Sequence, residues 1–121
     1  MTACKNQQPA RTDEAFAAFY TDEVGEECFY FKLLPRDAVR QVARALLSMR
    51  LVDKFKIDYQ QEEWRNGVAC HKHRLYLLQR DEALMPIEDV ERIVSEVCLA
   101  IGITLHWMPV NRLLNLKLKN Y

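Results

Sequence analysis

The sequence predicts an α+β domain, a sheet of short half-polar strands covered on one face by two amphipathic helices. Three observations carry this. Two segments repeat apolar residues at the helical period: Val39, Val42, Ala43, Leu46 and Leu47, then Ile87, Val90, Val94, Val97 and Ile101 with Ile93 and Cys98 beside them. Four other segments alternate apolar and polar residues at the strand period. Only 3 Gly and 4 Pro occur in 121 residues, too few for extended linkers. One core fits this length, so residues 12–121 read as a single domain behind a polar, aperiodic segment at 1–11 that is expected to be disordered.

Thr12 reads as a helix N-cap with Asp13 and Glu14 in the first turn. Phe16, Phe19 and Tyr20 then fall at i, i+3 and i+4, an aromatic stripe on a short N-terminal helix. The aromatic run at 28–34 predicts the first strand, with Phe29, Phe31 and Leu33 on one face and Cys28, Tyr30 and Lys32 on the other. Pro35 precedes the first long helix. At 54–60, Phe55, Ile57 and Tyr59 alternate with polar residues, the pattern of a strand covered on one side.

Asn66-Gly67 signals a hairpin turn into a third strand over 68–79. There His71, His73, Leu75 and Leu77 share one face, and the muddled alternation leaves room for a bulge. Pro86 suits the first turn of the second long helix, and Gly102 its end. A strand at 103–108 follows. Leu114, Leu116 and Leu118 alternate with Asn115, Lys117 and Lys119, which suggests an extra C-terminal strand.

The order strand, helix, strand, strand, helix, strand resembles the ferredoxin-like split β-α-β topology, with both crossovers expected to be right-handed. That resemblance concerns architecture, which by itself assigns no activity.

Charge and motifs narrow the function classes. The 17 basic and 17 acidic residues balance, whereas dedicated duplex-binding proteins usually carry a basic excess. Cys4, Cys28, Cys70 and Cys98 are scattered, without the spacing of a zinc or redox motif, and read as reduced thiols of a cytoplasmic protein. No stretch is long and apolar enough to predict a membrane span. His71 and His73 on one strand face could hold a metal with His106 or Cys98, but carboxylate and thiolate partners at usual spacing are missing, so a hydrogen-bonded pair is preferred. Cys70 and His71 point to opposite faces and cannot act as a nucleophilic pair. Isolated Gly25, Gly67 and Gly102 form no phosphate loop. The expectation is a non-enzymatic domain with no catalytic residues, metal or cofactor.

Two binding surfaces are expected instead. Arg36, Arg40 and Arg44 line the exposed side of the first helix, while the second exposes Glu88, Asp89, Glu91 and Glu96 against a single Arg92. Such a polarised layer suits an adaptor, an inhibitor or a subunit docking on a protein partner, a second copy of the chain included. Phe16, Phe19 and Trp107 would serve as aromatic anchors, with burial in the domain's own core as the alternative for these rings; mutual salt-bridging of the helices is the competing explanation for the charges. The alternative is single-stranded RNA or DNA on the uncovered sheet face, through Tyr30, Lys32, Lys54, Lys56, Lys72 and Arg74. Aromatics among basic side chains on an open sheet are how RNA-recognition modules stack bases. The segment NGVACHKH, however, puts Val68 and Cys70 where that family carries aromatics.

Overall fold

The computed structural model describes residues 13–52, 54–63, 69–78 and 85–116, with backbone only at 61–63 and 69–70. The elements are β1 (Asp13–Thr21), β2 (Glu27–Lys32), α1 (Arg36–Ser48), β3 (Lys54–Glu63), β4 (Ala69–Leu78), α2 (Ile87–Ala100), β5 (Ile103–Trp107) and α3 (Val110–Leu114). They form a mixed α+β domain whose five-stranded sheet runs β3-β4-β2-β1-β5.

The ferredoxin-like order is broken at one place. The N-terminal segment expected as a helix is β1, which lies antiparallel to β2 and parallel to β5. Without β1 the remaining strands would run β3-β4-β2-β5, the split β-α-β order; β1 is inserted between β2 and β5. The physical reason is double coverage. Ala15, Phe16, Ala17 and Ala18 are all buried, so the segment lacks one-sided alternation. Ala15 and Ala17 pack in the helix-side core, and Phe16 and Ala18 lie under α3. In a strand Phe16 and Tyr20 share one face while Phe19 takes the other, so no single aromatic stripe exists.

Strands β3 and β4 pair antiparallel without interruption from Lys54 opposite Leu78 to Glu63 opposite Ala69, so the expected bulge is not present in this pairing. The Asn66-Gly67 turn lies outside the described residues. The opposite end of the chain also departs from expectation. Pro109 sits at the N-cap of α3, and the Asn115 side chain donates to the Asn111 carbonyl at 2.8 Å, closing the last turn. A helix at 110–114 replaces the start of the expected strand; Lys117, Leu118 and Lys119 lie outside the described residues. Leu113, fully buried, pins α3 against Phe16, Ala18 and Tyr30. The sheet is therefore covered on both faces over β1 and β2, not on one.

The main core lies between the sheet and the paired helices α1 and α2. Phe29, Phe31, Leu75 and Leu77 meet Val39, Val42 and Leu46 of α1 and Val90, Ile93, Val94 and Cys98 of α2. Strand directions make α1 and α2 antiparallel, because each returns from one of two antiparallel strands, β2 and β4. Leu47 and Ile101, expected in the buried stripes, are 42% and 39% exposed at the C-terminal ends of their helices. No helix among the described residues is long and apolar enough to cross a membrane.

Helix α1 ends in a Schellman motif: Leu51 N–H donates to the Leu46 carbonyl at 2.9 Å and Arg50 N–H to the Leu47 carbonyl at 3.0 Å. Arg50 holds φ of 60°, a left-handed conformation that disfavours any residue with a Cβ. Arg50→Gly is expected to stabilise the domain by about 0.5–1 kcal/mol, read as a rise in urea midpoint with unchanged slope.

Candidate functional site

The helical layer carries the first candidate surface. Arg36, Arg40 and Arg44 are exposed on α1, and Glu88 and Glu96 on α2, with Glu91 half-buried. Burial and the adjacent Glu88 push the Glu91 carboxyl above the usual range. Among the described residues no ion pair joins α1 to α2. Among the described residues the acidic helix is neutralised only within itself, by Arg92 at 3.3 Å from Glu96 and 4.0 Å from Asp89. Arg40 and Arg44 have no acidic partner among the described residues. The polarised layer is thus not cancelled by salt bridges across its seam.

The aromatic side chains weighed as anchors pack on the core. Phe16 is 9% exposed beneath α3. Phe19 is half-buried edge-on to Phe29, with ring centroids 5.4 Å apart. Trp107 also meets Phe29 edge-on at 5.5 Å, and its indole N–H donates to Ser95 Oγ at 2.7 Å. Each points from a strand into packed side chains, which strand geometry dictates once β1 replaces the helix.

The other sheet face is less open than its alternation implied. Tyr30 is 1% exposed and Lys32 7%. The Arg74 guanidinium lies 4.7 Å above the Tyr30 ring, and its Nε donates to the Tyr20 hydroxyl at 3.0 Å. Burial, then the neighbouring Cys28, lifts the Tyr20 phenol to about 12. A base cannot stack on a ring already covered by Leu113, Ala18 and Arg74. Lys54 and Lys56 remain exposed, and Lys56 Nζ sits 5.3 Å from the centre of the Tyr76 ring. Lys72 is half-buried and stands opposite both Lys32 and Gln60.

A third site is a cavity of about 190 Å³ lined by Arg36, Tyr59, Gln60, His71 and His73. The odd-numbered residues of β3 and β4 bring Tyr59, His71 and His73 to the helix-side face, where the first residue of α1 meets them. The Arg36 guanidinium covers the Tyr59 ring at 4.4 Å. Tyr59 stands edge-on to His73 at 5.2 Å, and His71 lies 5.5 Å from His73 between ring centres. His73 is 1% exposed. Its Nδ1 accepts the Gln60 backbone N–H at 2.9 Å, so the neutral ring carries its proton on Nε2. That buried Nε2 has no hydrogen-bond partner among the described residues. Burial, followed by His71 and Arg36, pushes the His73 pKa down to about 4.

His106 stands on the opposite sheet face, 3.3 Å from Glu14, and so does not join the histidine pair. Cys98 is buried in the helix-side core, and its thiol is pushed up to about 12 by burial. Burial also lifts Cys28 to about 11, so both thiols stay protonated near neutrality. Among the described residues no three His, Cys, Asp or Glu side chains assemble as metal ligands. The sequence shows the two histidines sharing a face. Arg36 and Tyr59 come from other elements, and no local pattern shows that they meet this pair.

Comparison with protein-family models, curated proteins and solved structures finds no match for this chain.

Proposed function

We propose that the domain is a non-enzymatic protein-binding module that associates with a second copy of itself through the helical layer, as a subunit of a larger assembly. The observation that carries this reading is the charge split between α1 and α2, which no ion pair across the seam neutralises among the described residues. A two-fold axis parallel to the helices lays α1 of one protomer antiparallel on α2 of its partner. Arg40 and Arg44 then run along the partner's acidic helix, and the same contact repeats on the other side of the axis. Exposed Leu47 and Leu99, the latter 57% exposed, supply apolar surface on the two helices. Zero net charge leaves little long-range repulsion to oppose assembly. A stable interface needs about 1,200–2,000 Å² in total, which two helices per protomer can supply.

Charge exchange tests this. Arg40→Glu with Arg44→Glu makes both helices acidic, and Glu88→Arg with Glu96→Arg makes both basic. Each variant alone should self-associate about a hundredfold more weakly than the native chain, since like charges across an interface cost several kcal/mol. Mixing the two restores both contacts and should yield a one-to-one heterodimer. Self-association unchanged in either variant, or no complex in the mixture, contradicts the proposed face.

A further inference from the structure

We propose that the cavity between α1, β3 and β4 binds a small oxyanion, a carboxylate or a phosphate, gripped by Arg36 with the histidine pair as its wall. This site is separate from the self-association face, where Arg40 and Arg44 carry the charge.

Charge and hydrogen-bonding state both select the ligand. Arg36 is exposed at the rim, its guanidinium carbon over the Tyr59 ring 4.4 Å from the centre, and has no carboxylate partner among the described residues. Stacking on an aromatic face leaves the guanidinium edge, with its N–H fork, free to bind two oxygens of one anion. Among the described residues no Asp or Glu lines the cavity. The nearby Asp58 carboxylate accepts from the Gln60 side chain on the opposite sheet face.

His73 adds a second, independent indication. Its Nδ1 is occupied by the Gln60 N–H, which leaves Nε2–H as a donor with no acceptor among the described residues. A buried donor without an acceptor is costly, and such groups in folded proteins call for a partner. An anion in this cavity supplies acceptor oxygens and offsets the cationic surroundings. A metal ion is the wrong ligand here, because Arg36 repels a cation and Nε2 offers a proton rather than a lone pair. The volume of about 190 Å³ accommodates acetate, phosphate or the carboxylate end of a larger molecule.

The test is a titration of the full chain with sodium acetate and, separately, sodium phosphate, at constant ionic strength set with chloride. Imidazole nitrogen and proton resonances of His71 and His73 are followed by NMR. Saturable shifts in either series support the site, and the series that saturates at lower concentration identifies the favoured oxyanion. Bound anion should also raise the pKa of His73. Arg36→Gln, a change at an exposed position, should weaken binding about tenfold or more, as expected for a lost charge-assisted contact. Arg44→Glu alone, two helical turns from Arg36, should leave the titration within twofold, which separates this site from the association face. Shifts that never saturate in either series would overturn the proposal, as would saturable binding of undiminished affinity in the Arg36→Gln protein.

Discussion

Phe29→Ala is expected to lower the unfolding free energy by about 3–5 kcal/mol, the cost typical of removing a fully buried aromatic side chain. Phe29 is inaccessible to solvent and sits where three other rings converge: Phe19, Phe31 and Trp107, with centroids 5.4, 6.0 and 5.5 Å away. Those contacts tie β1, β2 and β5 together beneath α2. The cavity left by truncation cannot be filled by one neighbour without loosening another. A domain of this size has about 5–15 kcal/mol in total, so the variant should lose a large part of its stability, or unfold at ambient temperature. Urea unfolding followed by far-ultraviolet circular dichroism measures it. A loss below about 1 kcal/mol would mean that the aromatic cluster does not unite the sheet.

The second large effect is a loss of stability on acidification through His73. In the unfolded chain this imidazole titrates near 6.5, whereas in the fold it stays neutral until about pH 4. Between those values the unfolded state holds a proton that the folded state lacks, so stability falls as pH falls through that window. Below about pH 4 both states are protonated and the contribution levels off. One pKa unit corresponds to 1.36 kcal/mol, so the loss from this group is on the order of 3 kcal/mol. His73→Asn keeps an acceptor near the Nδ1 position for the Gln60 N–H and removes the titration. The difference in stability between the native chain and His73→Asn should shift by on the order of 3 kcal/mol, against the native chain, from pH 7 to pH 4. A difference that stays constant with pH would show that His73 is protonated in the fold as readily as out of it.

Most of the architecture was legible because its elements carry their own period. Both long helices, and the strands at 27–32, 54–63, 69–78 and 103–107, lie where apolar spacing predicted them. The misread segment, 13–21, is a central strand buried on both faces, and burial on both sides erases the alternation that identifies strands. Its phenylalanines happened to fall at helical spacing, and only pairing with β2 and β5 decides against a helix. The C-terminal leucines failed differently: Pro109 starts a helix, and Leu113, which precedes the alternating set, is the residue that anchors it. Once α3 covers β1 and β2, Tyr30 and Lys32 pass from an expected surface into the interior.

The candidate sites divide along the same line. Exposed arginines and glutamates at helical spacing are a local property, so the polarised layer could be read from sequence. The oxyanion cavity joins Arg36, Tyr59, His71 and His73 from one helix and two strands, and only the sheet register sets His73 opposite Tyr59. Its most informative atom, the His73 Nε2 with no partner among the described residues, depends on a backbone contact with Gln60 that no residue pattern encodes.

Mass in solution tests self-association through the helical layer most directly. Light scattering on the native chain, at rising protein concentration and in low and high salt, should approach twice the 14.3 kDa chain mass. The salt series should move the midpoint to higher concentration, because opposed arginines and glutamates are screened. Absorbance at 260 nm on the same peak should show protein alone. A mass of one chain at every concentration in low salt would contradict the account; a monomeric peak carrying nucleic acid would return attention to Lys54 and Lys56 on the sheet.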